Sequence, residues 1–337
     1  MRIEQNYPLQ NHNTFHVSAQ TRWFAEYDNE AELCRLLQDD SFQVFRRMFI
    51  GEGSNLLFIN DFDGIILHSR IRGIAVADET PESVLLRIGA AEHWDDVVAY
   101  SVSNGWGGIE NLSLIPGETG AAAVQNIGAY GAEIKDVIET VEAYNSFTVE
   151  KKIFSNEACR YSYRHSFFKE ENHPLYIITH VNLRLLKKPA FKLDYGNLRE
   201  TLNDQTITLQ SVRNAVITIR QNKLPDPASL GNAGSFFMNP VLSSAQFKTL
   251  KAQHPHIPSY PAPEGNIKVS AGWLIEQCGL KGYRKGNVGV YDKQALIIVN
   301  HGNATGPEIA RFAEFIRQTV YRRFGIWLER EVRTIDN

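Results

Sequence analysis

The sequence predicts an α+β protein of several units, and three observations carry that expectation. Its 337 residues allow two to three domains at about 150 residues each. Hydrophobic residues make up 43 % and charged residues 22 %, which is globular composition and excludes a disordered chain. Strand-like and helix-like patterns both occur, and their mixture changes twice, near residue 70 and near residue 210.

Residues 1–70 alternate short elements. Asn29 is placed to cap a helix that carries Leu33, Leu36 and Leu37 on one face. A strand-like run from Phe45 to Ile50 ends at Gly51-Glu52-Gly53-Ser54-Asn55. A second strand, Ile65 to Leu67, follows turn signals at Asp61, Asp63 and Gly64. This pattern reads as a small α/β unit. Residues 71–209 are richer in strands, such as Val84–Ile88 and Leu175–Thr179, with a helix near Asp95 to Ser103. From 210 the helical signal rises. Ser211 is expected to cap a helix whose Val212, Ala215, Val216 and Ile219 share a face, and which stops at Lys223-Leu224-Pro225. Beyond the proline-rich 257–263, one helix is expected from Ser270 to Gly279. Another begins with the capping box Thr305-Gly-Pro-Glu308 and turns Ile309, Phe312, Ile316 and Val320 inward.

Several function classes are excluded early. Lys plus Arg is 35 and Asp plus Glu is 38, a net charge of −3, which argues against whole-surface binding to nucleic acid. No apolar run reaches the ~18 residues of a spanning helix. The polar N-terminus MRIEQNYPLQNHNT lacks the apolar core of a signal peptide. A cytoplasmic protein is expected. Cys34, Cys159 and Cys278 are odd in number and far apart, so neither a disulfide framework nor a zinc site is signalled. His254-Pro-His256 has no nearby carboxylate set, and no metal is expected.

Four stretches carry chemistry. In Gly51-Glu-Gly53-Ser54-Asn55-Leu56-Leu57, two close glycines and two side-chain donors suit an anion, or a tight turn between strands. The stretch lacks the third glycine of a dinucleotide fingerprint and the lysine of a P-loop. Asn111 to Gly131 mixes Gly, Ala, Asn and Gln with a single charge, Glu118. That mixture favours close approach of a flat ligand over packing alone. Arg164 stands among aromatics in Tyr161-Ser-Tyr163-Arg164-His-Ser166 and can present a fixed cationic fork. Last, Lys223-Leu-Pro-Asp-Pro precedes Gly231-Asn-Ala-Gly234-Ser235-Phe-Phe-Met238-Asn239-Pro240. The glycines can hold Ser235 on an unusual turn, but the serine-hydrolase elbow is absent. A bare serine can instead donate a proton to a carbanion-like centre.

Taken in order, GEGSNLL, IPGETGAAAVQNIGAYG, YRHS, KLPDP, GNAGSFFMNP, SAGWLIEQCGLKG and WLEREVR resemble the UDP-N-acetylenolpyruvoylglucosamine reductases. The resemblance runs from Asn13-Thr-Phe15 to Glu331-Val-Arg333, and Lys192-Leu-Asp-Tyr195-Gly matches the tyrosine loop of the type I branch. It implies a fold similar to the vanillyl-alcohol-oxidase and p-cresol-methylhydroxylase flavoproteins. Two α/β FAD-binding subdomains are expected at 1–70 and 71–217. An α+β substrate-binding domain is expected at 218–337, with the last ~10 residues returning to the flavin site.

The resemblance also implies non-covalent FAD, with NADPH as co-substrate. UDP-N-acetylglucosamine enolpyruvate is then reduced to UDP-N-acetylmuramate for peptidoglycan synthesis, with hydride from flavin N5 to C3 and a proton to C2. The implied cofactor residues are Gly51, Gly53, Ser54, Asn55, Leu56, Pro116, Gly117, Thr119, Gly120, Ala121, Gln125, Asn126, Gly128 and Ala129. Neither segment contains a His, which suits an unattached flavin.

Arg164, Ser235 and Glu331 match the catalytic positions. Arg164 would stabilise charge built at C2, Ser235 would protonate C2, and Glu331 would stand protonated beside the substrate carboxylate. Tyr163, Tyr195, Lys223, Asn239 and Gln294 match substrate-binding positions. Small-molecule partners and a monomer are expected, with no nucleic acid and no membrane insertion. One departure is Met238, where the family often has Lys; the basic Lys281-Gly-Tyr-Arg284-Lys285 reads as a solvated face. Arg333 is placed near the flavin. Two other classes stay open to test: a different flavin oxidase of the same fold, and a non-catalytic nucleotide-sugar-binding module.

Overall fold

A computed structural model describes residues 1–170, 175–202 and 206–336. The chain forms two compact units. The first comprises Met1–Tyr7, Thr21–Glu52 and Asp63–Asn222; the second comprises Pro8–Gln20, Gly53–Phe62 and Lys223–Asn337.

The first unit holds two sheets. In the smaller, the strands Arg2–Pro8, Gln20–Tyr27, Phe62–Ser69 and Arg46–Ile50 lie in that order. Arg46–Ile50 runs parallel to Phe62–Ser69, with Ile50 opposite His68. The helix Glu30–Gln38 starts as its sequence requires: Asn29 Oδ1 accepts from Glu32 N at 3.0 Å. Its Leu33, Leu36 and Leu37 pack with Ala25, Tyr27, Ile65 and Leu67.

The larger sheet is antiparallel throughout, in the order Lys151–Ser155, Ile138–Asn145, Tyr176–Leu186, Ser83–Gly89 and Ile74–Glu79. Val84, Leu86 and Ile88 alternate into its core, where Trp94 from the helix Trp94–Ser103 is fully buried. The Asn111–Gly131 stretch contains a short helix, Thr119–Gln125, whose Ala122 and Ala123 enter the same core.

The helix Leu209–Lys223 buries Val212, Ala215, Val216 and Ile219 as expected. Ser211 does not cap it. Thr208 Oγ1 accepts from Ser211 N at 3.0 Å, and Ser211 Oγ accepts from Thr208 N at 2.8 Å. Two hydroxyl residues bond reciprocally, so Thr208 takes the cap and Ser211 the first turn.

In the second unit, Gly231–Ser235, Ile297–Asn300, Val288–Val290 and Arg284–Lys285 form an antiparallel sheet in that order. The helix Gly306–Phe324 has both bonds of its Thr305/Glu308 capping box and ends at Gly325, φ 68°. Ser270 Oγ accepts from Trp273 N at 3.2 Å and starts the helix Ala271–Gln277. The helix Ser244–Gln253 was not anticipated. Its Ser243/Gln246 capping box is present, but only Phe247 and Leu250 are buried, too sparse a stripe to stand out. The final strand, Arg333–Ile335, runs parallel to Leu56–Phe58.

Candidate active site

The expected site residues fall in both units. In the first, Gly51 follows the strand Arg46–Ile50, and the Pro116–Ala129 stretch presents a half-exposed, uncharged side. Ala121 and Gln125 lie four residues apart on the helix Thr119–Gln125 and so share a face. Gly128–Ala129 pairs with Ala132–Glu133 around Tyr130 and Gly131, both at positive φ, the backbone of a type I′ hairpin. Gln125 Oε1 accepts from Lys169 Nζ at 3.1 Å. Its amide NH₂ has no partner among the described residues.

Three of the expected cofactor residues serve the chain's own packing. Gly120 lies so near the end of the strand Ser83–Gly89 that a Cβ would sit 2.9 Å from Ala90 Cβ. Thr119 Oγ1 donates to Glu92 O at 3.0 Å and the residue is fully buried. Asn126 closes the helix in the left-handed region, φ 46°, and its Nδ2 donates to Ser162 O and Glu133.

Arg164 sits at the corner of a turn closed by Ser162 and His165, with φ 57°. A non-glycine residue held there costs on the order of 1–3 kcal/mol, a strain common at functional sites. Its Nη2 donates to Gly128 O at 3.1 Å, which joins the third chemistry-bearing stretch to the second. Tyr163 stacks under the guanidinium at 5.7 Å. Tyr195 reaches the hairpin at Gly131, where a Cβ would sit 3.6 Å from Tyr195 Cβ.

Sequence reasoning missed Arg220, three residues before Lys223 on the same helix. Its Nε donates to Leu114 O at 3.1 Å. The acid nearest in charge, Asp95, is already held by Arg213 at 2.7 and 2.9 Å. Arg220 therefore forms no ion pair among the described residues. Burial lowers its pKa; Tyr130 and Asp95 oppose that, and the charge of Arg164 adds to it. An Arg in the last helical turn ahead of Pro225 is a visible signal, but its lack of an ion pair among the described residues is not.

In the second unit, Gly53 adopts φ 70°, and a Cβ there would meet His12 O at 2.1 Å. Ser54, Asn55 and Leu56 follow half-exposed. Asn55 O accepts from Arg333 N at 3.1 Å, and Leu56 pairs with Arg333.

Ser235 stands on a bulge. The pairing of Gly231–Ser235 with Ile297–Asn300 slips between Asn232 and Ser235, and Gly234 takes φ 66° with open space where a Cβ would lie. Phe236 and Phe237 behind it are fully buried. They anchor the turn while the Ser235 hydroxyl makes no hydrogen bond among the described residues. Glu331 N donates to Phe236 O at 2.9 Å, which fixes Glu331 beside this turn.

Two amides in this unit have one end tied down. Asn239 Oδ1 accepts from Ala271 N at 2.9 Å, and Gln294 Oε1 accepts from Leu296 N at 3.4 Å. Their NH₂ groups are left as donors without partners among the described residues. Lys223 is exposed at its helix end. Met238 N donates to Glu329 O at 2.9 Å, so the residue that stands where the family often has Lys is tied here through its backbone.

These residues suit a flavin dinucleotide. The first unit offers an uncharged, small-residue face for a flat ring. The second offers positive-φ backbone at Gly53 for a phosphate, while the Asn55 amide, expected as a donor to an anion, is held by Glu331 O at 3.1 Å. A further cluster, Glu30, Glu142 and His180, has ligand atoms within 4.8 Å of one another. Arg87 and Lys151 already bind its carboxylates.

Comparison with known proteins identifies the family and an FAD-binding domain. Residues 22–146 match the FAD binding domain family, and residues 226–335 match the UDP-N-acetylenolpyruvoylglucosamine reductase C-terminal domain. A UDP-N-acetylenolpyruvoylglucosamine reductase of Porphyromonas gingivalis is 53 % identical over 337 residues, covering 99 % of this chain and 100 % of the relative. One of Bacteroides fragilis is 45 % identical over 334 residues, with coverage of 99 % and 100 %. The crystal structure of the Thermus caldophilus reductase aligns over 100 % of both chains with a TM-score of 0.71 at 22 % identity, which shows the shared fold.

Proposed function

The chain belongs to the UDP-N-acetylenolpyruvoylglucosamine reductases, and from that premise we propose how its own residues carry the reaction. It is an FAD-dependent oxidoreductase that uses NADPH to reduce UDP-N-acetylglucosamine enolpyruvate to UDP-N-acetylmuramate in peptidoglycan synthesis. Bound FAD supplies the hydride relay between NADPH and the vinyl C3 carbon.

The protein must hold the ring, hold two phosphate-bearing substrates, and manage the charge and proton at C2. Gly51, Pro116, Gly117, Ala121, Gln125, Gly128 and Ala129 line the ring side. Gly53, Ser54, Asn55 and Leu56 supply the turn for the diphosphate. Hydride arrival at C3 builds negative charge at C2, spread into the carboxylate. Arg164, pre-oriented by Gly128 O and by its strained turn, stabilises that charge. Arg220, which forms no ion pair among the described residues, adds a second cation. Glu331 lies beside the substrate carboxylate, where a proton shared between the two would remove their repulsion. The Ser235 hydroxyl delivers the proton to C2. Lys223 meets the substrate diphosphate as a mobile point charge, with Tyr163, Tyr195 and the NH₂ groups of Asn239 and Gln294 around the UDP-sugar.

The observation that carries this reading is the Ser235 hydroxyl, without a hydrogen-bond partner among the described residues and raised on the Gly234 bulge next to the Glu331 backbone. The test is the visible spectrum of the purified protein under anaerobic conditions. NADPH should bleach the flavin absorbance, and the enolpyruvyl sugar should restore it. A flavin that NADPH cannot reduce would point to a different oxidase of this fold. A colourless protein that binds UDP-sugars would point to a binding module.

A further inference from the structure

The roles above leave out a set of buried charges in the first unit. Glu118 lies between Gly117 and Thr119, and its side chain is only 7 % exposed. Its Oε2 is 2.7 Å from where a Cβ on Gly51 would sit. Its Oε1 is 3.4 Å from His68 Nε2, and His68 Nδ1 is 3.2 Å from Glu26 Oε1. One imidazole thus bridges two buried carboxylates under the turn at Gly51.

The surroundings explain what that imidazole does. Glu26, from the strand Gln20–Tyr27, is also approached by Arg70 at 3.7 Å and Arg2 at 3.4 Å. Glu118 forms no ion pair other than that with His68 among the described residues. The same strand presents the Phe24 ring 6.0 Å from the imidazole, and the buried Tyr27 phenol, which feels the charge of Glu118. His93, whose backbone bridges to Glu118, has its Nδ1 2.5 Å from Glu52 and its Nε2 3.2 Å from Arg72.

We propose that His68 is a positioning residue for the flavin: its imidazolium neutralises Glu118 and holds that carboxylate against Gly51, so FAD is bound more weakly once His68 loses its proton. The inference rests on the proposed reading that Gly51 and 116–129 hold FAD, and the family match over 22–146 contains all three residues of the bridge. FAD is an anion through its diphosphate, and an uncompensated buried carboxylate in its site repels that charge through surroundings from which water is excluded. Burial works to lower the His68 pKa; the two carboxylates overcome it and leave it raised. The charged form therefore persists through the ordinary histidine range and is lost as pH rises through the raised value.

The experiment measures FAD affinity of flavin-stripped protein by fluorescence quenching across about pH 6 to 9, with thermal unfolding as a check on folding. Wild-type affinity should fall on the alkaline side. His68→Gln should bind FAD about tenfold more weakly at pH 6.5 and lose that pH dependence. Glu118→Gln should bind as well as wild type with a flat profile, and should restore affinity in the His68→Gln background. If His68→Gln fails to fold, the Glu118→Gln profile decides alone: an unchanged alkaline fall overturns the proposal. Folded His68→Gln with wild-type affinity and profile overturns it as well. Ala121→Leu separates the premise, because a bulkier side chain on that face should abolish FAD binding. Unchanged binding in Ala121→Leu would sink the placement of FAD itself.

Discussion

Asn55 Nδ2 donates to the backbone carbonyl of Glu331 at 3.1 Å, across 276 positions of sequence. Glu331 N in turn donates to Phe236 O. The main chain of Glu331 is thus held between the glycine-rich turn and the residue after Ser235. Asn55→Ala should lower stability by about 1 kcal/mol, the usual net value of one hydrogen bond. It should slow flavin reoxidation by the enolpyruvyl sugar more than flavin reduction by NADPH. Denaturant unfolding and rapid-mixing absorbance would check the two parts, and equal slowing of both half-reactions would count against the clamp.

Gly53 and Gly234 both take positive φ, but their surroundings differ. A Cβ at Gly53 collides with His12 O, whereas one at Gly234 meets open space. Gly53→Ala should cost more than about 2 kcal/mol, from strain plus a backbone clash. Gly234→Ala should cost about 1 kcal/mol and act mainly on turnover, by turning the Ser235 bulge. Chemical denaturation of the two variants gives the comparison.

Acid should destabilise the first unit through Glu142. Burial alone would raise its pKa; Arg87, Lys151 and Asn182 overcome burial and hold it at about 2. A depressed carboxylate contributes stability above its ordinary value near 4.5 and loses it as pH falls toward 2. The unfolding midpoint should drop across that window. Glu142→Gln should be less stable at neutral pH and nearly flat across the window.

NADPH and the UDP-sugar both carry a diphosphate, and the proposed function has them share the same cations. Double-reciprocal plots should be parallel, with inhibition at high sugar substrate. Arg220→Gln should raise KM for both substrates together. Intersecting lines, or a KM effect on one substrate only, would contradict a shared site.

What could be read from the sequence was local. Asn29, Ser270 and Thr305 announce their helices because a cap and its partner lie three residues apart. Arg164 and Ser235 stood out by their neighbours' types. The rest depends on contacts between distant residues. Gly53 is required by His12, Gly120 by Ala90, and the charge on Glu118 by His68. Arg220 matters because Asp95 is already taken by Arg213. Thr119 and Asn126 look like ligand residues in a glycine-rich stretch, yet Glu92 and Ser162 use their side chains. No local pattern carries such pairings.

Ser235 holds the central chemical role, and rapid mixing of the Ser235→Ala variant tests it directly. Anaerobic reduction of its flavin by NADPH should proceed at nearly the wild-type rate, because that step needs no proton from the hydroxyl. Reoxidation by UDP-N-acetylglucosamine enolpyruvate should slow by roughly 10²–10⁴-fold, about 3–5 kcal/mol of barrier for one lost general acid. Ser235→Cys should fall between. Equal slowing of both half-reactions, or none in either, would show that Ser235 only shapes its turn and that the proton comes from elsewhere.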